Sequence, residues 1–202
     1  MSPLFRKSKL PSKNDAWTAL AERRSGTPVT DRKGRVKQVR FRLDTFELVL
    51  DSYTVSTGNS SQTYTRIRSL FNVREEFRFR MYRASLFSEL GKFFGMQDIE
   101  VGHPKLDPDF VIKADSPGKI QSMLLQSDIA DALMTLGTGR FESRPFKRRG
   151  VDTTNVRELR YALPGVLREA AKLDALIDLM EESLEHLVRN GSAWTEPPDV
   201  AL

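Results

Sequence analysis

Three Arg-x-Arg pairs, Arg40/Arg42, Arg66/Arg68 and Arg78/Arg80, carry the clearest chemical signal in this sequence. In each stretch arginine alternates with apolar residues such as Val39, Phe41, Ile67, Phe77, Phe79 and Met81, the two-residue period of a half-buried strand. The spacing predicts a sheet with one apolar face and one face lined by guanidinium groups. Such a face either binds anions, a nucleic-acid phosphate backbone ahead of anionic lipid, or pairs internally with carboxylates as a solvated ladder. Glu47 and Asp51 share the outward parity of Tyr53 and supply part of that ladder. Stacking of bases needs aromatics beside the arginines. Phe41, Phe77 and Phe79 take the opposite parity, which leaves Tyr53 and Tyr64 as the exposed candidates.

Other chemistry is sparser. His103, Asp107 and Asp109, with Glu100 nearby, offer the imidazole and carboxylates that a hard or borderline cation takes, but their spacing matches no standard site. Asp beside Pro is ordinary turn chemistry, so these residues are read as a rigid loop, and neither metal nor cofactor is expected. His186 falls near the end of a long helix, where it faces solvent or complements the dipole. Asp44, Glu47 and Asp51 suggest a carboxylate pair for acid/base work, yet Asp51 already has Arg66 as a partner. Gly137-Thr-Gly139 begins a G-x-G, but the third glycine is missing and a helix precedes it where a dinucleotide site needs a strand. There is no Walker A sequence, G-x-S-x-G elbow or H-E-x-x-H. With no cysteine, thiol catalysis and disulfides are excluded.

The elements that must position these residues can be traced along the chain. Asn14 or Asp15 caps a short helix carrying Trp17, Leu20 and Ala21, which Ser25-Gly26 ends. Strands are read over 36–43, 45–55, 62–70 and 77–82. A symmetric hairpin about Gly58-Asn59 sets Tyr53 opposite Tyr64 and Asp51 opposite Arg66. A helix over 85–95, a strand over 110–113, helices from Pro117 and Ser127, strands over 140–146 and 156–163, and a helix from Val166 to Arg189 follow. The class is α+β: a mainly antiparallel sheet of about six to seven strands with packed helices and a long C-terminal helix.

The apolar positions Val166, Ala170, Leu173, Ile177, Met180, Leu184 and Leu187 alternate spacings of four and three, the period of a coiled-coil seam. The same stripe also suits packing on the sheet, and Leu167, Leu176 and Val188 widen it. Its distal end, Met180, Leu184, Leu187 and Val188, is the candidate surface for self-association, giving a homodimer.

At 202 residues the chain suits one domain with tails: a disordered basic arm over 1–14, one α+β domain over 15–190 and a frayed tail over 191–202. Residues 1–50 hold 12 Lys/Arg against 5 Asp/Glu, so the net charge of +5 is concentrated in the N-terminal quarter. No apolar run approaches the roughly 20 residues that span a bilayer, and a cytoplasmic location is expected.

The stretches Leu50-Asp-Ser-Tyr-Thr-Val-Ser-Thr-Gly58, Thr63-Tyr-Thr-Arg-Ile-Arg68, Phe77-Arg-Phe-Arg-Met-Tyr82, Leu90-Gly91 and Asp107-Pro-Asp-Phe-Val-Ile-Lys113 resemble bacterial hypothetical proteins of a domain-of-unknown-function type, over about residues 46–165. The resemblance implies a bacterial intracellular origin and carries no activity. The sequence therefore predicts a non-catalytic module that binds another protein or its own copy. Phosphate-backbone or lipid binding by the arginine face is the alternative, and an enzyme acting on an anionic small molecule comes third.

Overall fold

The structure, a computed structural model, describes residues 10–84 and 97–202. The helix read over 85–95 lies outside the described residues. Among those described, the architecture is α+β, with nine strands in one sheet and every pairing antiparallel.

Strands β1 (Thr27–Thr30), β2 (Val36–Arg42), β3 (Glu47–Thr57) and β4 (Ser60–Asn72) form a consecutive meander. The β3–β4 hairpin has the register its turn dictates, with Asp51 opposite Arg66 and Tyr53 opposite Tyr64. Gly58 sits in that turn at φ 56°, a left-handed conformation that suits glycine. The remaining strands are β5 (Phe79–Arg83), β6 (Gln97–Asp98), β7 (Phe110–Ala114), β8 (Arg140–Pro145) and β9 (Val156–Pro164). The order across the sheet is β1-β2-β3-β4-β9-β8-β5-β7-β6. The β4–β9 ladder, from Tyr64 opposite Pro164 to Asn72 opposite Val156, is thus the one strand pairing that joins the first four strands to the other five among the described residues. Two strands go beyond the six or seven expected. β1 is short, exposed throughout and contains Pro28, and β6 has two residues, so neither shows a period of two.

The helices cover one face. Helix α1 (Lys13–Arg23) is capped by Ser12, whose hydroxyl accepts the Asp15 amide at 3.2 Å, rather than by Asn14 or Asp15. Asn14 is occupied elsewhere, with its Oδ1 accepting the Val36 amide at 2.8 Å. After the one-turn helix α2 (Leu106–Asp109) come α3 (Pro117–Leu124), α4 (Ser127–Leu136) and α5 (Ala170–Arg189). Leu50, Ile67, Phe79, Phe141 and Tyr161 of the sheet meet Trp17, Leu133, Leu173 and Met180 of the helices in one core.

Helix α5 begins at Ala170 and not at Val166, because Leu167 spends its backbone on tertiary partners. Its amide donates to Thr65 Oγ1 at 2.8 Å, and its carbonyl accepts Trp17 Nε1 at 2.9 Å. The seam proposed for self-association is corrected by the same packing. Met180, Leu184 and Leu187 are fully buried, and Val188 packs on the core, so the stripe faces the protein's own sheet and α4. Of the four candidates only Val188 keeps partial exposure. Residues 191–202, expected to fray, instead run from α5 past the C-terminal end of β4. Ala193 bridges to Val73, the Trp194 amide donates to Asn72 O, and Asn72 Nδ2 donates to Glu196 O at 3.1 Å. No described helix is long and apolar enough to cross a membrane.

Candidate anion-binding face

The parity of the strands decides which side chains gather on the face that carries no helix among the described residues. Thr65, Ile67, Ser69 and Phe71 of β4 point into the core, so Tyr64, Arg66, Arg68 and Leu70 point away from it. Following the register sideways gives two adjacent rows. The first runs Arg40, Val49, Arg68, Arg160, Glu142, Arg80, Lys113, Asp98, five cations against two carboxylates. The second runs Gln38, Asp51, Arg66, Ala162, Arg140, Tyr82, Val111.

Much of the expected ladder forms. Asp51 accepts from Arg66 through Nε at 2.9 Å and Nη2 at 2.7 Å, and from Arg68 Nη2 at 2.7 Å. Glu142, almost wholly buried, accepts from Arg80 at 2.8 and 2.7 Å, and Arg40 donates to Glu47 at 2.7 Å. Arg144 lies 3.5 Å from the buried Glu158. The electrostatics are uneven. Burial opposes the Arg66 charge, but the bonds to Asp51 outweigh it and raise its pKa above the ordinary guanidinium value. Burial lowers Arg68, and Arg66 beside it pulls the same way against the attraction of Asp51. Burial likewise lowers Arg80 in spite of Glu142.

Of the six predicted arginines, Arg40, Arg66, Arg68 and Arg80 share the face. Arg42 sits exposed at the end of β2 on the same parity. Arg78 does not join the row, because β5 begins at Phe79. Its amide and Nε both donate to Asp115, each at 2.9 Å.

Sequence reasoning missed Arg140, Arg144 and Arg160, although Arg140/Glu142/Arg144 and Glu158/Arg160 show the same alternation as the flagged pairs. The Arg160 Nη2 donates to Tyr53 Oη at 2.7 Å. The guanidinium of Arg140 makes no ion pair or hydrogen bond among the described residues. Tyr53 and Tyr64 stack at 5.4 Å between centroids, and Arg66 and Arg160 lie over the Tyr53 ring at 4.7 and 5.5 Å. One margin of the face is overlaid by the chain itself. Pro197 to Leu202 lie near Phe46, Glu47 and Leu70 around a cavity of about 160 Å³, and the main-chain oxygens of Leu202 and Ala201 accept from Arg40 and Arg148, each at 3.2 Å.

The weak metal candidates are held as a loop. The Asp107 carboxylate accepts the amides of Val101, Gly102 and His103 at 2.8 to 3.0 Å, His103 Nδ1 accepts the Leu106 amide, and Asp109 pairs with Arg83 at 3.2 Å. No group of three His, Asp or Glu with metal-holding geometry occurs among the described residues. His186 is also not where it was expected: it is buried, with Nε2 3.1 Å from Ser122 Oγ. That hydroxyl donates to Lys119 O, so its one proton is committed and the pair does not make an activated nucleophile. A buried Arg157 at the end of the sheet donates to Ser143 and Glu76 and belongs to the scaffold.

No family model matches the chain, and no curated protein matches it. Among solved structures the chain is similar to the crystal structure of the mycobacterial trehalose monomycolate transport factor A, TtfA. The two share 9% identity, with 94% of this chain and 98% of that chain covered and a TM-score of 0.44. A likeness of that degree bears on neither function nor partner.

Proposed function

We propose that the protein is a non-catalytic binding module whose arginine-bearing sheet face takes the phosphate backbone of a nucleic acid without reading its sequence. The observation that carries this reading is the charge excess of the face as a whole, where Arg40, Arg42, Arg66, Arg68, Arg80, Arg140, Arg144, Arg160 and Lys113 outnumber Glu47, Asp51, Asp98, Glu142 and Glu158 by nine to five among the described residues. A face with such an excess of cations attracts a polyanion and releases its condensed counterions on binding. Base stacking is disfavoured, because the Tyr53 ring is already engaged by Tyr64 and two guanidinium groups. Contact is therefore made through phosphates, which position a ligand but do not specify its sequence. Self-association through α5 is not retained, since its seam lies in the core.

The test is fluorescence anisotropy of a labelled DNA duplex at several salt concentrations. The expected result is weak binding at low salt, with affinity falling linearly on a log–log plot and little difference between unrelated sequences. No binding at low salt, or binding that survives raised salt, overturns the reading.

A further inference from the structure

Leu70 of β4 has the parity of Arg66 and Arg68 and points away from the core, yet it is only 6% exposed and lies outside the main apolar cluster. The C-terminal segment lies against it. Pro198, Val200 and Leu202 are half-buried while Pro197, Asp199 and Ala201 are exposed, so an extended stretch sets alternate side chains toward Leu70 and Phe46. Its charge opposes that of the face: residues 195–202 carry Glu196 and Asp199 and no Lys or Arg.

The segment is held firmly at one end only. Ala193 bridges to Val73, the Trp194 amide donates to Asn72 O, and Asn72 Nδ2 donates to Glu196 O. Beyond Glu196 its hydrogen bonds among the described residues are two, from Arg40 Nη2 to Leu202 O and from Arg148 Nη1 to Ala201 O, each at 3.2 Å. Beneath it is the gap of about 160 Å³, so this stretch lacks the close packing of the core. Both acceptors are neutral carbonyls. A phosphate group offers a guanidinium two charged oxygens in the fork geometry it favours. Arg148 is exposed and makes no ion pair among the described residues, so nothing else holds it back. A polyanion that reaches both Arg40 and Arg148 therefore displaces two carbonyls at once, and its repulsion of Glu196 and Asp199 favours the release.

We infer that residues 195–202 are a strap that competes with the nucleic-acid backbone for Arg40 and Arg148 and lifts from the face when a duplex binds. This rests on the reading of the face as a phosphate binder and adds its regulation: the closed strap shields one margin, and a ligand long enough to reach both arginines opens it.

The experiment uses the full chain, which has no cysteine, with Val200→Cys as a single thiol on the covered side of the strap. The rate of thiol labelling is measured with and without a DNA duplex, and duplex affinity is followed by anisotropy. Duplex should quicken labelling severalfold, with the midpoint of the anisotropy curve. Arg148→Gln in the same background should quicken it without duplex, because an anchor is gone. Leu202→Ser, which trims the strap and spares the arginines, should tighten duplex binding about tenfold if the strap is closed about nine-tenths of the time. Its salt slope should equal the parent's, since the open complexes make the same phosphate contacts. Leu125→Ser, at an exposed leucine between α3 and α4, should change neither readout. If duplex binds while labelling stays constant or slows and Leu202→Ser is no tighter, the strap falls and the reading of the face stands. A steeper salt slope for Leu202→Ser would mean that the strap stays down in the parent complex, which overturns displacement. Duplex that binds neither the parent nor Leu202→Ser overturns the reading of the face, and the competition with it.

Discussion

Arg66 and Asp51 face each other across β3 and β4 and are joined by two parallel hydrogen bonds, at 2.9 and 2.7 Å, with both side chains less than one-fifth exposed. Asp51→Asn leaves Arg66 and Arg68 without a carboxylate in a largely dry setting. The expected loss is about 2 kcal/mol, between the value of an exposed pair and that of a buried one. Chemical denaturation measures it. Added phosphate should recover part of the loss, whereas a substitution without effect would show that water already satisfies the two arginines.

The buried seam of α5 makes a contrary prediction to a dimer contact. Leu184→Glu and Leu187→Glu place charges where exposure is nil, so each should unfold the chain or cost several kcal/mol, about the 2–5 kcal/mol of a large-to-small core change or more. Circular dichroism and mass in solution separate the outcomes. A folded variant with a smaller mass than the parent would restore the dimer.

His186 should make stability depend on pH. Burial, helped by the Arg189 charge, holds its pKa below the ordinary 6.5. The unfolded chain therefore takes up the proton first as pH falls. The stability that the neutral ring contributes is complete above about 6.5 and is lost below it. Urea unfolding between pH 5 and 8 should show the fall, and His186→Gln should reduce its slope.

Gly139 has a sharper constraint than a turn residue. Its φ is 150°, and a Cβ built there would sit 2.6 Å from the Tyr161 ring. Gly139→Ala must move that ring or the strand, so a cost of about 1–3 kcal/mol is expected in a thermal or urea melt. Tyr161→Leu in the same background should relieve part of it.

How far the sequence foretells this structure depends on whether a feature is local. The β3–β4 register follows from one turn and two favourable pairs, and both pairs form. Period two put Arg40, Arg66, Arg68 and Arg80 on the correct face for the same reason. The partners of Arg68 and Arg80 were harder to foresee. Glu142 and Arg160 reach them only through strands remote in the chain, and no local pattern reports that pairing. Length misled at α5, where a periodic stripe continues into residues whose backbone groups are claimed by Thr65 and Trp17. The docked C-terminal segment has no period at all, being held by main-chain bonds to Asn72, Arg40 and Arg148.

The β4–β9 ladder also governs how quickly the chain can find its native state. Its pairs unite residues 84 to 100 positions apart, while β3 and β4 meet across a tight turn. Closing so large a loop costs entropy before any ladder bond repays it, and topologies of this kind fold in about milliseconds to seconds. The meander β1–β4 can gather early as one cooperative unit, but its core face stays wet until β9 pairs with β4 and α5, which follows it, packs on the sheet. During that interval β4 presents an open edge that a neighbouring chain can capture. Pulse-labelled hydrogen exchange should find β3–β4 amides protected before those of β4–β9, and refolding yield should fall as concentration rises.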